Sequence, residues 1–150
     1  PTVRVRPRGT TAAAPWLVAE ELDELASVTI AGTPVHLVDE RAARRVIVRT
    51  LHDAERPPLA VCSINLDHIH HFSGASDDFG ANGPVRWLNL IDGAPIAQQA
   101  RRLTGIPYPR LAGSDLTAGI LTDLAAAGLA VAVVGGSDAV TPALRQRLAH

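Results

Sequence analysis

Short, mainly apolar runs, each followed by a polar residue or glycine, constrain this chain more than any other feature. Leu59 to Cys62 is the first, Val85 to Ile91 the second and Leu129 to Val134 the third. Runs of this length suit strands buried on both faces, as in a parallel sheet. Helical patterns lie between them. Asp39 is placed to cap a helix carrying Ala42, Ala43, Val46, Ile47 and Leu51 and ending near Glu55, before Pro57-Pro58. Ala94 to Leu103 reads as a helix closed by Gly105 and Pro107, and Ser114 as the cap of another that carries Leu116, Ile120, Leu121 and Leu124 on one face and is stopped by Gly128. A last helix is expected from Pro142 to Leu148. Strands alternating with helices give βαβ units, hence an α/β fold with a Rossmann-like parallel sheet.

The N-terminal part reads differently. Val28 to Ala31 and Pro34 to Leu37 predict a hairpin around Gly32-Thr33. Residues 1–15 read as a tail and Trp16 to Ala26 as a short helix, so the α/β domain is expected over residues 27–150. Leu66 to Gly83 predicts a helical turn or two and a polar loop around Ser76-Asp77-Asp78.

In a parallel sheet, ligands bind beyond the carboxyl ends of the strands. That rule turns the sequence into a list of candidates: Ser63 and Asn65, Asp92 and Gly93, then Gly135, Gly136 and Ser137. Asp92 is the acidic member. It is either a general base aimed at a substrate hydroxyl or the N-cap of the helix behind it. By position alone the cap is the more economical reading. Gly135-Gly136-Ser137 resembles a phosphate-binding strand-to-helix turn, though it is neither GxGxxG nor a Walker A sequence, and a plain turn fits equally well. Gly113-Ser114-Asp115 is a second such turn, readable as a simple helix start. His68, His70 and His71 cluster beside Asp67, but no Cys or Glu lies nearby to complete a metal site, so packing or solvated histidines are the simpler reading. Cys62 inside a strand reads as a small core residue.

Composition narrows the function. Fourteen basic against 15 acidic residues leave a net charge of -1, too little positive excess to bind nucleic acid by charge. Every basic residue is Arg, which excludes a lysine Schiff base and a P-loop lysine. A single cysteine excludes an intrachain disulfide and fits a reducing compartment. At 47% apolar the chain has enough material for a core, and its longest uncharged apolar stretch falls short of the ~20 residues of a spanning helix. The absence of any Met suggests processing or trimming.

Five blocks in order resemble the WecG/TagA/CpsF bacterial glycosyltransferases. They are Ile30 to Val35; Ala60 to His68, like that family's Thr-x-Asn segment; Leu90-Ile91-Asp92-Gly93; Gly105-Ile106-Pro107 with Leu111 to Leu116; and Val131 to Gly136. The similarity runs from about Ser27 to the end and covers roughly the first half of the family's core. It implies a metal-independent, inverting transfer of an N-acetylmannosamine-type sugar from a UDP donor to undecaprenyl-diphosphate-linked N-acetylglucosamine, with no cofactor. The polymer would be a teichoic acid, enterobacterial common antigen or capsule. The place would be the cytoplasmic face of the membrane, contacted by a basic C-terminal element outside these 150 residues. Asp92 falls on the family's catalytic base and Ser63 on its Thr. Asn65, Gly93, Ser114, Asp115, Gly135 and Gly136 fall at substrate-binding positions. The competing expectation is a non-catalytic module that binds a nucleotide or a partner chain. A dehydrogenase-like domain is disfavoured because no strand is followed by GxGxxG. An incomplete sheet would expose an edge and favour a homo-oligomer.

Overall fold

The computed structural model describes residues 21–53, 55–72 and 84–148. The tail, the start of the Trp16–Ala26 helix and the loop around Ser76-Asp77-Asp78 lie outside these residues. A 3₁₀ turn at Leu22–Glu24 leads into β1 (Ser27–Ile30) and β2 (Thr33–His36), an antiparallel pair. The predicted hairpin is present, one residue earlier than expected. Its turn residues are Ala31 and Gly32, both at positive φ (48° and 87°). This two-residue turn with both φ positive matches the right-handed twist of the strands. Sequence rules favour Gly, Asn or Asp at both places, and Ala31 breaks that rule.

Next come α1 (Glu40–Leu51), β3 (Leu59–Ile64), α2 (Leu66–Phe72), β4 (Arg86–Ile91), α3 (Ala94–Thr104), α4 (Gly113–Ala126) and α5 (Thr141–Leu148). Asp39 caps α1 as expected, its Oδ1 accepting from Ala42 N–H at 2.7 Å. Gly105 ends α3 in the left-handed conformation. Gly128 N–H donates to the Ala125 carbonyl and Leu129 N–H to the Leu124 carbonyl, the paired bonds that close a helix when a glycine follows it.

β3 and β4 pair in parallel from Leu59–Arg86 to Ile64–Ile91. Alternate residues of β4 serve two cores. Leu88 and Leu90 point to Val46, Ile47, Leu111 and Leu116, the core under α1 and α4. Ile91, with Ile64 of β3, joins Val28, Val35, Ile96 and Ala100 under the hairpin and α3. The helical side is clamped across the surface by a two-pronged bond. Arg44 Nε and Nη2 of α1 donate to the two carboxylate oxygens of Asp123 on α4, at 2.8 and 2.7 Å. Gly119 makes room for it, since a Cβ there would stand 2.9 Å from Arg44 Nη1. The guanidinium holds the Asp123 carboxyl below its ordinary range, and Asp123 in turn raises Arg44.

One predicted strand does not form. Among the described residues Leu129–Val134 pairs with no strand, and Val131, Val133 and Val134 are exposed, Val134 at 97%. A strand needs a neighbour for its backbone groups, and apolar sequence alone cannot supply one. The outer edge of β3 likewise has no strand partner among the described residues, and Val61 is exposed on it.

Candidate functional site

The carboxyl ends of β3 and β4 place Ser63, Asn65, Asp92 and Gly93 along one edge, as the parallel topology requires. Asp92 N–H donates to the Ile64 carbonyl at 3.0 Å, which carries the parallel ladder one residue past the strands. Leu111 N–H donates to the Ile91 carbonyl at 2.7 Å and brings the start of α4 onto the same edge.

Ser63 makes the longest-range link of the site. Its Oγ accepts from Gly113 N–H at 2.6 Å, fifty residues away. The residue in the N-cap position of α4 is Ala112, which has no side chain able to cap. Ser63 therefore satisfies one of the orphan donors at that helix start, a role the helix's own flanking sequence leaves unfilled. The contact explains Gly113: a Cβ there would lie 2.7 Å from Ser63 Oγ. The Ser63 oxygen is used as an acceptor, so its own O–H remains to donate. Ser114 was expected to cap α4; instead it stands with Asp115 inside the exposed first turn, where the Asp115 carboxylate complements the helix dipole.

Asn65 caps α2, with its Oδ1 accepting from His68 N–H at 3.0 Å. A capping residue directly before a helical run is a legible signal. Its partner His68, whose Nδ1 lies 2.7 Å from the same oxygen, escaped sequence reasoning because the three histidines read as one cluster. Among the described residues no three His, Cys, Asp or Glu side chains converge as a metal site. Cys62 packs at the margin of the hairpin-side core, and burial raises its thiol pKa, so it is held as the neutral thiol.

The two readings of Asp92 separate here. The N-cap of α3 is Gly93, at φ 91° and ψ 147°, a conformation that side-chain-bearing residues rarely adopt. No side chain caps that helix. The half-buried Asp92 carboxylate makes no hydrogen bond or ion pair among the described residues. A carboxylate at a sheet edge with no structural task is available for chemistry. A cleft of about 460 Å³ lined by Ala94, Pro95, Gln98, Arg101 and Tyr108 opens beside the first turn of α3.

Gly135 and Gly136 take the positive φ values that a tight turn demands (101° and 87°). They stand in open space, with nothing within 4 Å of where a Cβ would be. Hydrogen bonds link the strand ends carrying Ser63, Asn65, Asp92 and Gly93 to one another and to the start of α4, next to Ser114 and Asp115; among the described residues none links Gly135 or Gly136 to them.

Compared with known families, residues 28–150 match the glycosyl transferase WecG/TagA/CpsF family. No curated protein and no solved structure matches the chain.

Proposed function

The chain belongs to the WecG/TagA/CpsF glycosyltransferase family, and from that premise we propose that Asp92 is the general base of an inverting sugar transfer. The observation that carries this reading is the Asp92 carboxylate, set at the sheet edge and unused as a cap. The carboxylate takes the proton from an acceptor hydroxyl. The oxygen attacks the anomeric carbon of a UDP-linked sugar from the face opposite the leaving group. The new glycosidic bond forms with inversion as the bond to UDP breaks, and UDP departs with the electron pair. The Ser63 O–H donates to a substrate oxygen, and the side chain of Asn65 orients the sugar. Ser114 and Asp115 border the same edge. Gly135 and Gly136 approach the diphosphate once Leu129–Val134 enters the sheet. The donor is of the UDP-N-acetylmannosamine type and the acceptor a polyprenyl-diphosphate-linked N-acetylglucosamine, for a cell-surface polysaccharide or teichoic acid. The protein works at the inner face of the plasma membrane as a peripheral protein. Among the described residues no helix is long and apolar enough to cross a membrane.

The test is transfer of radiolabelled sugar from a UDP donor to a lipid-linked acceptor by the full natural protein. Inverted product confirms the reading; no transfer with any UDP-sugar sinks it. A second reading, a nucleotide-binding module without turnover, draws on the detached Gly135-Gly136 turn. UDP binding without transfer would favour it.

The open β3 edge, with exposed Val131, Val133, Val134, Val140 and Leu144, supports self-association of this chain. Light scattering at rising concentration is expected to show a dimer or larger. A monomer throughout would count against it.

A further inference from the structure

Asn65 and His68 meet at a single atom, and the chemistry of that meeting fixes both side chains. Asn65 Oδ1 lies 3.0 Å from the backbone nitrogen of His68 and 2.7 Å from His68 Nδ1. A backbone N–H only donates, so the Asn65 atom facing it is the carbonyl oxygen and not the amide nitrogen. An amide oxygen only accepts, so the imidazole proton sits on Nδ1. Two donors on one oxygen hold the amide in one orientation. Its Nδ2 points to the other side of the amide and makes no hydrogen bond among the described residues.

We propose that His68 is a positioning residue: its Nδ1–H locks the Asn65 amide so that Nδ2 donates to a substrate oxygen at the edge of the sheet. The oxygen belongs to the diphosphate of the nucleotide or to a sugar hydroxyl. The proposal rests on the sugar-transfer reading above. The neighbouring Ile64 carbonyl accepts from Asp92 N–H, so the Asn65 donor and the Asp92 carboxylate stand on adjoining strand ends. A donor beside an acceptor is the pattern that hydroxyl-rich ligands match. Capping α2 does not need the His68 ring, because the backbone N–H of residue 68 does that whatever its side chain. A purely structural ring would therefore leave substrate kinetics untouched.

The experiment compares wild type, His68→Ala and His68→Gln in the full natural protein. Ring-nitrogen NMR of the wild type is expected to show a proton on Nδ1; an imidazole protonated at Nε2 alone overturns the lock. UDP titration and steady-state kinetics distinguish the two oxygens. If Nδ2 meets phosphate, His68→Ala weakens UDP about fivefold to tenfold, the size of one hydrogen bond. If it meets a sugar hydroxyl, UDP affinity holds and KM for sugar donor or acceptor rises by that factor, with kcat changing less. His68→Gln, which carries an N–H donor, recovers most of the loss. Unchanged UDP affinity, KM and kcat in His68→Ala overturns the proposal. A wild type that binds UDP without transferring sugar refutes the transfer reading alone; NMR and titration with UDP and UDP-sugars then decide His68, and unchanged affinity for both in His68→Ala overturns it.

Discussion

Asp92→Asn is expected to lower sugar-transfer turnover by about 10²–10⁴, the range of a lost general base. Asn keeps the shape and an oxygen but accepts no proton. Stability should barely move, within about 0.5 kcal/mol, because the carboxylate makes no bond and the Asp92 backbone bond to Ile64 survives the change. The two roles weighed for this residue give opposite patterns. A cap would tolerate Asn and lose about 1 kcal/mol to Ala. A base would lose activity to both and stability to neither. Turnover and urea unfolding, measured on Asp92→Asn and Asp92→Ala, separate them. Wild-type turnover by the Asn variant removes Asp92 as the base and leaves the family membership intact.

The second large effect is acid sensitivity centred on His36. Its Nδ1 accepts from Asn89 N–H at 3.0 Å, and burial lowers the imidazole to about 4 from an ordinary 6.5, against a weaker upward pull from Asp23. The fold therefore holds a neutral His36, while the unfolded chain binds a proton below pH 6.5. More protons on the unfolded state mean that stability falls as pH falls. The contribution is complete above 6.5, declines through the interval and is gone below about 4. Its full size is about 3 kcal/mol. The Asp123 carboxyl, lowered by Arg44, contributes above its ordinary pKa of 3.8 and loses that contribution as pH falls below it. The window from 6.5 to 4 therefore isolates His36 from that pair. Urea unfolding of wild type at pH 7 and pH 4.5 should show the loss, and His36→Gln, which keeps an acceptor without titrating, should flatten it. An equal slope in both proteins would clear His36 of the effect.

Local chemistry was legible in the sequence. Asp39, Gly105 and Gly128 announce helix ends because capping depends on residues within a few positions. The strands β3 and β4 follow from their apolar runs, but burial on both faces holds only for residues 88–91 of β4: in β3 only Ile64 is buried and Val61 is exposed. What failed depends on neighbours far along the chain. Leu129–Val134 has strand composition but pairs with no strand among the described residues, although the outer edge of β3 is open, and its local sequence does not encode that outcome. Ser63 was placed on the site by its position after a strand, yet its bond to Gly113 joins residues fifty apart, and no local pattern encodes it. The hairpin shifted because Ala31 accepts a left-handed backbone that turn rules reserve for other residues. Asp92 was ambiguous for a related reason: the φ of Gly93, which hands the cap position to glycine, is visible only in three dimensions.

The two cores flanking β4 also govern how that strand finds its place. Leu88 and Leu90 face one core, while Asn89 faces the hairpin, donating through Nδ2 to the Pro34 carbonyl at 2.9 Å. Sliding β4 by one residue would exchange these faces. The leucines would then meet the hairpin, and the Asn89 amide, whose buried Oδ1 has no partner among the described residues, would also lose the Pro34 carbonyl that its Nδ2 bonds. An unsatisfied buried amide costs roughly 1–3 kcal/mol. Asn89, set between Leu88 and Leu90, thus acts as an index mark, and it penalises misaligned pairings while the sheet is still assembling.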